Sequence, residues 1–257
     1  MFTIGAIVRL ALLALVTALL PVAAAAQGCP GHPDALGTAR VLAVDAATTP
    51  RVGRKQFPGT LPLGPKELVL TFDDGPWPGT TPAVLDALKA ECVKATFFLL
   101  GRNAQAHPAL VRREAAEGHT IGHHSFSHPL LGRMDPDRAM AEIDKGIRAD
   151  KVALGHESAP FFRFPGFASA PVLLDRLQAR GMVVFGADVW ASDWNEQTPE
   201  AERERLLRRI DKVGGGIVLL HDTRGQTAHM LPAFLKALKA RGYRIVHLVP
   251  AGGRPAD

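Results

Sequence analysis

A parallel α/β barrel is the fold this sequence predicts, and three observations predict it. Short apolar runs of strand length recur down the chain, alternating with stretches whose apolar residues fall at helical spacing. Several of those stretches open with a capping residue followed by proline, at Thr81-Pro82, Asp135-Pro136 and Thr198-Pro199. The polar residues able to do chemistry fall just after the apolar runs, where the C-terminal ends of parallel strands would gather them on one rim.

Strands are expected at residues 68–72, 95–99, 120–122, 161–164, 183–186, 217–220 and 245–248. Six helical stretches separate them. Gly181 and Gly242 stand where helix C-caps fall, just before the next strand. Pro232 lies inside the last helical pattern and predicts either a kink or a later start. Strands joined through helices become parallel neighbours, and seven of them close naturally into a barrel.

The front of the chain reads differently. Arg9 is followed by LALLALVTALLPVA and a run of small residues, the three parts of a secretory signal, with cleavage expected near Ala26. The apolar run is short of the roughly 20 residues a membrane span needs, and Pro21 interrupts it. The product would be exported, periplasmic or secreted, with no stable membrane anchor. Residues 27–65 carry six prolines and read as an extended arm with a short strand at 40–44. The domain body is expected at 66–250, with a tail at 251–257. Export would let Cys29 and Cys92 form a disulfide pinning the arm, the alternative being one buried and one free thiol.

Composition excludes several function classes. The chain has 257 residues, 47% hydrophobic and 21% charged, which is far from the signature of disorder. Its net charge of +5 comes from scattered basic residues, and a single Tyr supplies few stacking platforms, so nucleic acid is not an expected partner.

The rim residues are the informative part. The first strand runs into Asp73 and Asp74, the third into His123, His124 and His128, the fourth into Arg163-Phe164-Pro165-Gly166. The fifth leads to Asp188, Asp193 and Trp194, and the sixth to His221 and Asp222. His124 and His128 are four apart, so one helical turn would face both imidazoles the same way. With one carboxylate from another strand end they make a His-His-Asp set, the composition of an open catalytic metal site. Adjacent aspartates in a tight turn cannot both face the ion, which leaves one free as a base.

TFDDG, H-S-x-x-H, R-x-P, a D-W pair and L-x-H, in this order, resemble the polysaccharide deacetylases of the NodB-homology type, carbohydrate esterase family 4. The resemblance covers roughly residues 65–250. It implies a distorted (β/α)7 barrel that hydrolyses acetyl groups from N-acetylglucosamine-containing glycans with a divalent metal, usually zinc, with cobalt, manganese or iron(II) as alternatives. It further implies that Asp74, His124 and His128 hold the metal and that Asp73 is the general base. His221 would be the general acid, Arg163 would orient Asp73 and favour its ionised form, and Asp193 would pair with His221. Leu219 and Trp194 would shape the acetyl pocket, and a backbone N–H after Pro165 would face the oxyanion. Two positions depart from the family pattern: Gly166 stands where Tyr is usual, with Phe167 where the Gly would be, and His123 replaces Asn. Gly166 still offers its N–H, and His123 reads as a packing or supporting imidazole.

Other residues read more plainly. Asp188 and Asp222 are rim neighbours in a supporting position, and Trp77 either lines a sugar groove or packs in its turn. Trp190 reads as core, and His107, His119, His156, His229 and His247 as surface or structural. The same site would also serve an O-acetyl esterase on xylan-like glycans or a hydrolase of small amides. A non-catalytic carbohydrate-binding protein would lack Asp73 or His221, and both are present.

Overall fold

The computed structural model describes Cys29 and residues 32–252. The expected signal segment therefore lies outside the described residues. Among those described, no helix is long and apolar enough to cross a membrane.

The strands are β1 (Thr38–Val44), β2 (Arg51–Val52), β3 (Glu67–Asp73), β4 (Thr96–Leu99), β5 (Thr120–His123), β6 (Phe161–Phe162), β7 (Val183–Phe185), β8 (Val189–Trp190), β9 (Gly216–His221) and β10 (Arg244–Pro250). The helices are α1 (Thr81–Ala90), α2 (Gly101–Ala106), α3 (Pro108–Ala116), α4 (Pro136–Leu154), α5 (Pro171–Ala179), α6 (Pro199–Val213) and α7 (Gly225–Ala240). Every strand pairing is parallel. A continuous ladder runs β8-β9-β3-β4-β5-β6-β7, and no pairing joins β7 back to β8 among the described residues. The barrel is thus distorted and open at one seam.

Ring membership differs from the sequence expectation in one strand. The expected seventh strand, β10, touches β3 at only two positions, Arg244↔Glu67 and Ile245↔Leu68, then leaves the ring to pair with β1. Its place is taken by β8, two residues that pair with Val218 and Leu219. A two-residue strand is too short to show periodicity, which is why the sequence hides it. The Pro-rich stretch read as an arm contributes β1 and β2 to the sheet, against β10 and β7. A disulfide joins Cys29 to Cys92, with Cα atoms 5.6 Å apart.

Local chemistry explains the helix starts. Asp135 accepts hydrogen bonds from the N–H groups of Asp137 and Arg138, and Thr198 from that of Ala201, each satisfying first-turn donors. The first helix begins one residue earlier than its Pro signal implies, with Thr80 at the cap and Thr81 inside. Helix α7 runs uninterrupted from Gly225 through Pro232 to Ala240, so the later start expected as one alternative does not occur. Strand β3 is buried along its whole length, with Leu68, Leu70 and Phe72 facing the helical layer and Val69 facing the barrel interior beside Ile217 and Phe98. Burial on both faces fixes its register, and hence the position of the Asp73-Asp74 pair at its end.

Candidate active site

The rim at the C-terminal ends of β3, β5, β6, β8 and β9 carries the ligand, base and acid candidates the sequence singled out; Asp188, expected beside them, lies instead at the starts of β8 and β9. A cleft of about 390 Å³ opens at the rim, lined by Asp73, Asp74, His124, His128 and His221 on its polar side and by Leu219 beside them. Phe164, Gly166, Phe167, Trp190 and Trp194 complete its apolar wall.

Asp74, His124 and His128 each offer a ligand atom, all within 4.8 Å of one another. Asp74 Oδ1 lies 3.6 Å from His124 Nε2 and 3.5 Å from His128 Nε2. Two ligands about 2.1 Å from a tetrahedral ion stand about 3.4 Å apart, so these gaps fit one. The same Oδ1 is buried and has no hydrogen-bond partner, an arrangement a cation would relieve. His124 Nδ1 donates to the Arg163 carbonyl at 2.8 Å, because a carbonyl can only accept, and this leaves the Nε2 lone pair facing Asp74. Burial pushes the His124 pKa down to about 3, which keeps the ring neutral and able to ligate.

The two imidazoles do not share a helical turn. They lie on a loop between β5 and α4 in which Ser125 (φ 68°) and His128 (φ 70°) both take left-handed backbone. The Ser125 hydroxyl accepts the His128 N–H at 3.1 Å and closes the loop on itself. The rings converge with centroids 5.2 Å apart, so the four-residue spacing was informative for a reason other than the helix. Asp74 is left-handed too, at φ 75°, and Asn103 holds its carbonyl at 2.7 Å. Strained backbone of this kind persists where the surroundings over-determine it. The next residue, Gly75, has no room for a Cβ, which would collide with the Asp222 carboxylate.

Asp73 turns to the other side. Its Oδ1 receives Arg163 Nη1 at 2.7 Å, while the same guanidinium is shared with the Thr71 hydroxyl at 2.8 Å and the Gly186 carbonyl at 2.8 Å. Arg163 is fully buried, 4.3 Å over the Phe98 ring. Burial raises the Asp73 pKa, and the Arg163 charge pulls it back only in part. The orienting role expected of Arg163 matches this contact. Arg163 also favours the ionised form, as expected, but desolvation is the larger effect. Asp73 Oδ2 lies 3.8 Å from His124 Nε2.

His221 stands opposite. Its Nδ1 is 2.9 Å from Asp193 Oδ1, and Asp193 Oδ2 accepts the His221 backbone N–H at 2.6 Å. Burial alone would lower the His221 pKa, but Asp193, with Asp73 and Asp74 beyond, overcomes it and lifts the value to about 9. The imidazole is therefore protonated at neutral pH, with Nε2 3.9 Å from Asp74 Oδ2. Sequence reading missed the support behind it. The Thr227 hydroxyl lies 3.1 Å from Asp193 Oδ2 and 2.8 Å from Glu202 Oε1. Burial raises Glu202 to about 7, so its neutral form can donate into this chain. A signal was available: Glu202 falls in register with the buried Leu206 and Ile210 of α6, a polar residue on the core face.

His123 is buried between Asp150 (2.6 Å) and Ser158 (2.9 Å), turned away from the ligand set. Asp188 holds backbone, accepting from the N–H groups of Arg54 and Ile217. Trp190, expected in the core, is half-buried and lines the cleft with Lys55 Nζ 4.5 Å over its ring. Trp194 is 46% exposed and edge-on to His221, with centroids 6.0 Å apart. Gly166 sits at φ 57°, a conformation in which the Tyr usual to the family would be strained, and its Cβ would press on Leu130 at 3.1 Å. Asn103 gave no sequence signal at all.

Fold and rim together define a distorted parallel β/α barrel with a His-His-Asp set at the strand ends that could hold a cation. Residues 61–185 match the polysaccharide deacetylase family model. The chain is 34% identical over 200 residues to a chitooligosaccharide deacetylase of Sinorhizobium fredii, covering 71% of this chain and 90% of that one, and it belongs to the polysaccharide deacetylase family. It is 35% identical over 184 residues to a peptidoglycan-N-acetylglucosamine deacetylase of Listeria monocytogenes, covering 70% of this chain but spanning only 38% of that protein's length. Among solved structures it is similar to a peptidoglycan deacetylase of Bdellovibrio bacteriovorus, with TM-score 0.74 and 35% identity over 82% of this chain and 58% of the other.

Proposed function

We propose that this protein is a metal-dependent hydrolase that removes N-acetyl groups from N-acetylglucosamine-containing oligo- or polysaccharides, releasing acetate. The observation that carries the reading is the opposition of two buried dyads, Asp73–Arg163 and Asp193–His221, across the Asp74-His124-His128 set. One dyad presents a carboxylate of raised proton affinity and the other a protonated imidazole, the two partners an amide hydrolysis needs.

Asp74, His124 and His128 would hold a divalent ion, zinc by the chemistry of the donor set. When bound, such an ion supplies Lewis-acid polarisation of the acetyl carbonyl and acidifies water. Asp73 takes the proton of the attacking water as its oxygen bonds to the acetyl carbon. Arg163 keeps the Asp73 carboxylate aimed into the cleft, and the Gly166 N–H faces the developing oxyanion. His221 then donates its Nε2 proton to the sugar nitrogen as the C–N bond breaks, and Asp193 stabilises the imidazolium before that transfer. Leu219 and Trp194 wall the site for the acetyl methyl. The disulfide and the kinship with enzymes of peptidoglycan and chitooligosaccharides support an exported, periplasmic or secreted location.

Acetate release by purified protein, chelated and then reloaded with zinc, tests the proposal on chitooligosaccharides, peptidoglycan fragments and acetylated xylan. Zinc-restored acetate from an N-acetylglucosamine substrate is the expected result. No acetate from any glycan despite stoichiometric bound metal would overturn it.

A further inference from the structure

Beside the cleft lies a second cavity of about 700 Å³, lined by Trp77, Arg102, Asn103, Ser127, His128 and Arg224. The two cavities share Asp74, His128 and Arg224, so they form one continuous groove. The smaller part suits the reacting unit, and the larger has room for the sugar next to it.

Two features give this second part a chemistry. The first is Trp77, which is 48% exposed although its backbone is fixed on both sides. Its N–H donates to the Thr81 hydroxyl at 2.7 Å, and its carbonyl accepts the N–H groups of Thr80 and Thr81 at 3.1 and 2.9 Å. The Thr81 hydroxyl is anchored in turn on the buried Asp222. A flat apolar ring half in water at a groove wall, on a fixed backbone and edge-on to His107, is a stacking platform for the C–H face of a sugar. The second feature is charge. Arg102 and Arg224 are exposed, and neither guanidinium has a carboxylate or hydrogen-bond partner among the described residues. Some surface arginines of this chain are paired, such as Arg51 with Asp175, Arg176 with Asp137 and Arg180 with Asp144, and others such as Arg133 and Arg138 are not; Arg102 and Arg224 are the unpaired ones that line this groove.

We propose that the Trp77–Arg102–Arg224 groove binds the sugar adjoining the reacting unit, and that it selects N-acetylated glycans whose adjoining unit carries a carboxylate over neutral ones. This rests on the deacetylase reading for the identity of the reacting unit. Binding of three tetrasaccharides to zinc-loaded Asp73→Asn protein, by titration calorimetry, tests it without turnover: one neutral, one bearing a lactyl ether carboxylate, one bearing a uronate. At least one carboxylated ligand is expected to bind about five- to tenfold tighter than the neutral one at low salt. That margin shrinks in about 0.5 M salt and falls to none in Arg102→Gln/Arg224→Gln. The ligand that gains identifies the source of the carboxylate. Trp77→Ala should weaken all three by about tenfold, and Trp77→Phe, which keeps a smaller ring, should fall between should the alanine variant not fold. Equal affinities, no measurable binding, or a preference that survives loss of both arginines would each overturn the proposal. Acetate release by the wild type separates the two readings. A carboxylate preference without acetate leaves the groove standing and removes the reaction, and acetate with equal affinities does the reverse.

Discussion

Strand β3 begins with Glu67 and ends with Asp73, and both carboxylates meet an arginine, yet the two ends behave in opposite ways. At the start, Glu67 receives Arg40 through Nε at 3.0 Å and Nη2 at 2.6 Å, the Gly64 N–H at 2.8 Å, and Arg244 at 3.6 Å. The Arg40 hydrogen bonds outweigh burial there and lower its pKa to about 2. At the end, Asp73 shares a single nitrogen of a fully buried Arg163, and burial wins and raises its pKa. The same kind of ion pair therefore holds a carboxylate ionised where several donors converge, and leaves it with raised proton affinity where one shared donor is desolvated. This matches the division of labour in β/α barrels, with chemistry at the strand C-termini and stability at the other end.

Asp73→Asn should break the functional end most sharply. The amide keeps the shape but cannot take a proton, so kcat should fall by about 10³–10⁴-fold while bound zinc, read by metal analysis, stays stoichiometric. Near-normal turnover would show that the carboxylate at this end is merely structural, like Glu67.

Arg163→Met should come next and affect both folding and chemistry. It leaves a buried carboxylate unpaired and frees the Thr71 hydroxyl and Gly186 carbonyl, for a loss of about 3–5 kcal/mol in urea unfolding. As the proposed base, Asp73 would act ionised, so activity should disappear as pH falls through its pKa. Without the Arg163 charge that pKa rises further, and the acid limb of kcat/KM should move to higher pH. An unmoved limb would mean that Arg163 does not tune the base.

How much of this was legible depends on whether chemistry leaves a one-dimensional trace. The strand runs, the Asp135 and Thr198 caps, and the rim residues Asp73, Asp74, His124, His128, Arg163, Asp193 and His221 all do, because the caps stand before a Pro and the rim residues follow an apolar run within a few positions. The two-residue β8 and the promotion of Trp190 from core to cleft do not, since both depend on where a short segment lands in three dimensions. Asn103 reaches the Asp74 carbonyl across 29 residues of chain, and the Thr227–Glu202 support reaches Asp193 from two helices. The desolvation that outweighs Arg163 at Asp73 depends on the packed barrel interior, which leaves no trace in the sequence.

The stabilising end has a second device. Cys92 is bonded to Cys29, and its carbonyl accepts the Thr38 hydroxyl at 3.2 Å, where β1 enters the sheet beside Arg40. The bridge closes a loop with a sequence separation of 63. Replacing both cysteines with serine should cost about 2–4 kcal/mol in unfolding. Turnover of the folded variant should be unchanged, because no rim residue touches this region. A fall in kcat would show that the two ends are coupled.

Glu67→Gln should give the smallest effect and the clearest test of the contrast. Glu67 has its folded pKa below its unfolded value of about 4.5, so its contribution is fully present above pH 4.5 and is lost as pH falls toward about 2. Taken alone that shift is worth about 3 kcal/mol, and because the Arg40 and Arg244 side chains are 30% and 57% exposed, solvent screening brings it to about 1–2 kcal/mol. The variant should therefore melt roughly 3–6 °C below the wild type at pH 7, and the gap should close as both are measured toward pH 2.5. A gap that stays constant between pH 7 and pH 3 would mean that Glu67 acts through packing or neutral hydrogen bonds. The opposite polarity of the two ends of β3 would then have another cause.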